Sequence, residues 1–294
     1  MVWFHCTYLH RPLTSMTLPI EQNGALQAAD GTQLYYRQWR HPQPRGAVVM
    51  VHGLGEHSGR YTQLALLFYE AGLSVRMHDQ RGHGHSGGAR GSLRHSDDYL
   101  ADLKLIVDDF SRHTQQVPFL FGHSMGGLVA TRFACSGVAE LRGLLLSSPA
   151  LAIRLSGFQR RLLALSTCIA PGLALPTGLP AQKVSHDEQI VQAARSDTLN
   201  HGRVSARVIN FMLTSMAQVQ AQASSFRLPL LMQVAGDDAF VDPEGSRAFF
   251  AQVPDIDKSF CYYQDAYHEI FNESPAYRWP AQQDLKSWLV AHMK

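Results

Sequence analysis

From about Asp30 onward, short apolar runs alternate with longer stretches whose apolar positions repeat at helical spacing. That alternation predicts a mostly parallel sheet flanked by helices, an α/β fold. The runs 47–52 (AVVMVH), 73–78 (LSVRMH), 117–122, 144–148 and 229–235 (PLLMQVA) read as buried strands. Residues 32–39 alternate apolar with polar and read as an edge strand, and 259–263 as a further strand. Helical spacing runs over 60–71 and stops at Gly72, a residue suited to closing a helix. Over 97–113, Leu100, Leu103, Ile106, Val107 and Phe110 fall on one stripe. Further helices are predicted over 124–137, after Asp242 and over 280–292.

Between about 151 and 226 the alternation lapses into helical patterns and loops with no convincing buried strand. An insertion of this kind predicts a helical cap over the carboxyl edge of the sheet, placed before the strand at 229–235. The expected organisation is an N-terminal extension at 1–15, a first part of the core at 16–151, the cap at 152–226 and a second part of the core at 227–294. Residues 1–15 match none of the pattern, and Met16 is an alternative start. Residues 162–182 carry no charge and could span a bilayer by length, but Pro171, Gly172, Pro176, Gly178 and Pro180 interrupt them.

Composition narrows the partners. With 45% hydrophobic and 17% charged residues the chain can bury a sizeable core. A net charge of +2 without a dense Lys/Arg cluster argues against a nucleic-acid partner. Cys6, Cys135, Cys168 and Cys261 lack metal-ligand or disulfide-framework spacing, so free thiols, buried or partly buried in a reducing compartment, are expected. The first 20 residues carry no signal-peptide pattern, and a cytoplasmic protein is the expectation.

The chemistry centres on Gly122-His123-Ser124-Met125-Gly126, a GxSxG sequence. Such a spacing is weak by itself. Here it follows an apolar strand and opens a helix, which resembles the nucleophile elbow of α/β-hydrolases. The helix start directs free N–H groups at a developing oxyanion. One donor would be the N–H of Met125 and the other that of Leu54, in the loop 52–57 after an earlier core strand. The order in this fold is serine, then acid, then histidine. Asp237, Asp238 and Asp242 follow the strand at 229–235. Asp242, before Pro243 and Glu244, has the pattern of a helix N-cap; Asp237 and Asp238 are not separable by spacing. His268 lies just past the next strand and is the candidate base. His83-Gly84-His85 has part of a metallohydrolase motif but lacks its acid and third histidine, so no metal is expected. His52, His57, His83 and His123 are expected to line or brace the pocket.

Five segments together resemble the monoacylglycerol lipase and lysophospholipase branch of the α/β-hydrolases. They are HGLGEHSGRY (52–61), DQRGHGHSGG (79–88), GHSMGG (122–127), AGDDAFVD (235–242) and AYHE (266–269), in the family's order. The resemblance implies Ser124 as nucleophile, Asp238 as acid, His268 as base, and Leu54 and Met125 as oxyanion donors. It implies hydrolysis of monoacyl-lipid esters without metal or organic cofactor. The uncharged, Leu-rich stretch of the cap at 162–182 separately suggests acyl-chain binding and transient membrane-surface contact through it. Rival readings are a short-chain carboxylesterase, an amidase or aminopeptidase on the same fold, and a non-catalytic ligand receptor.

Overall fold

The computed structural model describes residues 19–255 and 257–293. The expected extension at 1–15, together with Met16 and Cys6, lies outside them. One sheet is built from eight strands: β1 (Glu21–Gln27), β2 (Gln33–Trp39), β3 (Gly46–Val51), β4 (Leu73–His78), β5 (Pro118–His123), β6 (Gly143–Ser147), β9 (Leu230–Ala235) and β10 (Lys258–Tyr263). Their spatial order is β1-β2-β4-β3-β5-β6-β9-β10. From β4 to β10 all neighbours pair in parallel, while β1 and β2 are antiparallel additions.

The period-two geometry of strands sorts their side chains between two cores. Ala47, Val49, Val51, Leu120, Leu144, Leu146, Met232 and Val234 face one side. There they meet α2 (Asp98–Thr114), α3 (Met125–Ser136), α6 (Ala206–Gln222) and α7 (Pro243–Gln252). Val48, Met50, Phe119, Phe121, Leu145 and Leu231 face the other, against α1 (Thr62–Glu70) and α8 (Pro275–His292). Every residue of β3, β4, β5, β6 and β9 is buried, the polar ones included: in β4 Arg76 is held by Asp109 and Gln38.

Two expectations are corrected. Residues 32–39 do not form the edge: β1 pairs outside β2 in register from Glu21–Trp39 to Gln27–Gln33. β1 (EQNGALQ) has no buried residue, so it is held by backbone pairing and carries almost no hydrophobic signal. The last helix starts at Pro275 rather than 280 and runs through Pro280. Pro275 fits a first helical turn, and burial of Ala281, Leu285, Trp288 and Leu289 offsets the hydrogen bond Pro280 cannot donate.

Between β6 and β9 the chain forms α4 (Gly157–Ile169), α5 (Glu188–Ser196), α6 and a two-stranded antiparallel sheet in which β7 (Ala174–Pro176) pairs with β8 (Arg203–Ser205) across the intervening α5. This insertion lies against the core through several polar contacts. His201 N donates to Gly55 O at 2.8 Å, and His57 Nε2 lies 2.7 Å from Asp197 Oδ2. No helix among the described residues is long and apolar enough to cross a membrane. Cys135 and Cys261 are partly buried, and burial pushes each thiol up to about 11. Cys168 is exposed on α4, contrary to the expectation of burial.

Candidate active site

Chain direction gathers the candidate residues. β3, β5, β9 and β10 run parallel, so the loops after them emerge at one edge, near the point where the strand order reverses beside β3. Steric limits shape the turn after β5. It leaves Ser124 at φ 54° and ψ −123°, a region side-chain-bearing residues rarely occupy. A methyl on Gly122 would sit 2.5 Å from Gly126 O, and one on Gly126 would collide with the carbonyls of Val51 and His52. Only glycine at both positions lets the helix start directly beneath the serine.

His268 Nε2 lies 2.8 Å from Ser124 Oγ, and its Nδ1 lies 2.6 Å from Asp238 Oδ2. The other Asp238 oxygen accepts from Phe240 N at 2.8 Å and Val241 N at 3.0 Å. Phe240 stacks on the imidazole with ring centroids 4.8 Å apart. Burial pushes the Asp238 carboxyl up, but His268 and the two backbone N–H groups outweigh it and hold it below its ordinary value. Burial disfavours the charged form of His268, yet the Asp238 carboxylate reverses this and raises its pKa above the usual 6.5. Glu269 and Glu56 act in the same direction. His123, packed beside it with centroids 4.7 Å apart, is pushed down to about 3 by burial and by His268.

Geometry separates Asp238 from Asp237, which spacing leaves together, and bears out Asp242 as a cap. Asp237 is 56% exposed and pairs with Lys183 at 3.1 Å. Asp242 caps α7, accepting from Glu244 N at 3.2 Å. Only Asp238 meets His268.

Leu54 and Met125 both line the cavity above Ser124. Met125 is the first residue of α3, where N–H groups have no intrahelical partner. The loop carrying Leu54 presses close to the serine: a methyl on Gly53 would lie 3.1 Å from Ser124 Cβ and 2.7 Å from Glu56 Oε1. Glu56 holds that loop, accepting from Gly53 N and from Tyr61 Oη at 2.6 Å. Arg60 then bridges Glu56 (3.3 Å) to Glu269 (2.5 Å), joining the Leu54 loop to the His268 loop. The sequence reading missed this bridge, although Glu56 and Arg60 stand within the segment 52–61. Of the other histidines, His123 lines the cavity, whereas His52, His57 and His83 brace the loops around it. Among the described residues no group of three or more His, Cys, Asp or Glu is arranged to hold a metal ion.

The cavity measures about 480 Å³. Glu56, Arg60 and Glu269 line it near Ser124 and His268; the insertion contributes much of the remainder, mostly apolar (Leu162, Leu163, Leu173, Leu175 and Leu179) with Arg154, Gln159 and Asn200 among it.

A mostly parallel sheet with Ser124 on a tight turn after the strand at 118–123, and with an aspartate and a histidine that meet it on later loops in that order, defines an α/β-hydrolase. The chain belongs to the family described as serine aminopeptidase, S33, whose model matches residues 42–275, and it falls in the monoacylglycerol lipase branch of the superfamily. It is 32% identical over 273 residues to a monoacylglycerol lipase of Mycolicibacterium smegmatis, covering 90% of this chain and 95% of that one. The crystal structure of Paleococcus ferrophilus monoacylglycerol lipase superposes with a TM-score of 0.81 at 35% identity, covering 88% of this chain and 99% of that one. An abhydrolase domain-containing protein of Dictyostelium discoideum is 33% identical over 84% of this chain, which spans 27% of that longer protein.

Proposed function

We propose that the protein hydrolyses carboxylic esters of monoacyl lipids, monoacylglycerols or lysophospholipids, through an acyl-enzyme on Ser124. His268 Nε2 takes the Ser124 proton as Oγ bonds to the ester carbonyl carbon, then delivers that proton to the departing alcohol oxygen. Water enters by the same route in reverse, giving the free acid and regenerating Ser124. Asp238 keeps Nδ1 protonated and stabilises the imidazolium, and the N–H groups of Leu54 and Met125 receive the oxyanion. Residues 152–226 act as a cap whose inner wall takes the acyl chain. The outer stripe of α4, with Phe158, Leu165 and Ile169 exposed beside Arg160 and Arg161, suits transient contact with a membrane surface.

The observation that carries this reading is the lining of the site: a cavity beside Ser124 and His268 whose walls are mostly apolar, with leucines of the insertion (Leu162, Leu163, Leu173, Leu175 and Leu179) prominent among them. The monoacylglycerol lipases among its relatives point the same way. A p-nitrophenyl ester series tests it. Each added methylene brings up to about 0.8 kcal/mol of burial, so kcat/KM rises well beyond butyrate until the pocket is full. An optimum at acetate or butyrate, falling steadily afterwards, refutes the lipid reading and favours a short-chain esterase. Monoacylglycerol and lysophospholipid of equal chain length, assayed side by side, assign the head group.

A further inference from the structure

Glu273 lies five residues after His268 and is fully buried. Its carboxylate gathers donors from two parts of the chain. Oε1 accepts from Tyr267 N at 2.8 Å, which closes the segment 267–273 into a ring around the base. Oε2 accepts from Ser274 N at 2.8 Å. The remaining donors belong to the insertion: His186 N at 2.9 Å and His186 Nδ1 at 2.7 Å, with the single Ser185 hydroxyl proton shared between Glu273 Oε2 at 3.3 Å and the closer Asn272 O. The His186 ring is stacked on Tyr267 at 3.6 Å and on Tyr277 at 4.6 Å, so its Nδ1 can hardly turn away. Two more bonds run in parallel: Glu269 N donates to Val184 O at 2.9 Å, and Ser185 Oγ lies 3.0 Å from Asn272 O. Val184 and Ala181 also line the cavity. The stretch that borders the acyl chain is therefore the stretch that holds the base loop.

We infer that Glu273 and His186 are positioning residues for His268, and that the cap thereby takes part in the chemical step as well as in chain binding. The inference rests on the assignment of His268 as base. Asp238 fixes one side of the imidazole. The direction of the loop behind it is fixed by a carboxylate that is satisfied only while residues 184–186 are in place. Glutamine cannot substitute for Glu273. An amide offers one accepting oxygen, so its NH2 must face either the Tyr267 N–H or the N–H groups of His186 and Ser274.

The test uses the full chain with Glu273→Gln and His186→Phe, the latter keeping an aromatic ring between the two tyrosines. Turnover of p-nitrophenyl acetate and decanoate is measured per active site titrated with a fluorophosphonate, beside thermal melts. Acetate is too short to need the cap's apolar wall. Misplacement of the base predicts that kcat per titrated site falls for both esters by the same factor, roughly 10- to 100-fold for Glu273→Gln, with KM within about twofold. His186→Phe gives a smaller fall of the same kind. Unchanged acetate turnover with impaired decanoate turnover overturns the inference, since the latch would then serve chain binding alone. A loss that vanishes once activity is scaled to titrated sites also overturns it, because Glu273 would then only maintain the fold. If Glu273→Gln does not fold, His186→Phe decides by the same two criteria. Wild-type protein that neither labels at Ser124 nor turns over either ester would instead refute the proposed function.

Discussion

Asp238→Asn discriminates most sharply, because the surroundings dictate which way the new amide must face. One Asp238 oxygen accepts from Phe240 N and Val241 N, so the amide oxygen of the substituted side chain has to take that position. Its NH2 then points at His268 Nδ1, which must become an acceptor and move the ring proton to Nε2. In that tautomer Nε2 faces Ser124 Oγ with a proton already on it and cannot accept another. Shape and volume are kept, so the protein folds and the loss is chemical. The corresponding change costs roughly ten-thousand-fold in the serine-protease precedent. Asp237→Asn, by contrast, removes one half of a surface ion pair with Lys183 and is worth little to the fold or the site. The assay is kcat/KM on a p-nitrophenyl ester with pure, folded variants. Retention of more than about one part in a hundred by Asp238→Asn, or a greater loss in Asp237→Asn, refutes the reasoning.

Ser124→Ala abolishes hydrolysis, a loss on the order of a million-fold in the subtilisin precedent, with circular dichroism unchanged; activity above a few per cent in pure variant would exclude Ser124 as nucleophile. As the proposed base, His268 works only when neutral, so kcat/KM is expected to fall as pH drops through its raised pKa. Glu269→Gln removes one charge that raises it, so the acid limb of the pH profile moves to lower pH; an unmoved or opposite limb counts against the electrostatic account. A His268 pKa above 6.5 also means that its stabilisation is fully present below the unfolded value and is lost as pH rises through the folded one. Gly126→Ala would drive a methyl into two backbone carbonyls and is expected to lower stability by at least about 1–3 kcal/mol in urea titration.

The sequence carries different parts of this molecule with different clarity. Strands buried on both faces announce themselves: AVVMV has no polar side chain, and LLMQVA has only Gln233, which is buried through bonds to Tyr263 and Ala281. β1 does not, because its place depends on pairing with 33–39 rather than on its own apolar content. Ser124 is legible because an elbow demands small residues two positions either side and a strand before it. Separation of Asp238 from Asp237 needed three dimensions: adjacent residues in a loop point in different directions, and here one points at His268 and the other at Lys183. Glu273 gives no local signal at all. Its partners His186 and Ser185 stand 87 and 88 residues away, and nothing in a single sequence marks such a pair.

α4 has a capping box at Ser156 and Gln159 but not one buried residue. Its ties to the fold are few, through partly buried Leu163, Ser166 and Thr167 and the bond from Asn210 to Thr167, so its hydrogen bonds are expected to open more easily than those of the buried helices. Amide protons of 157–169 should therefore exchange with solvent orders of magnitude faster than those of α3, where eight of twelve residues are buried. Such a hierarchy would leave the outer wall of the cavity free to adjust to a long chain, while the buried helix beneath keeps Ser124 in its strained turn.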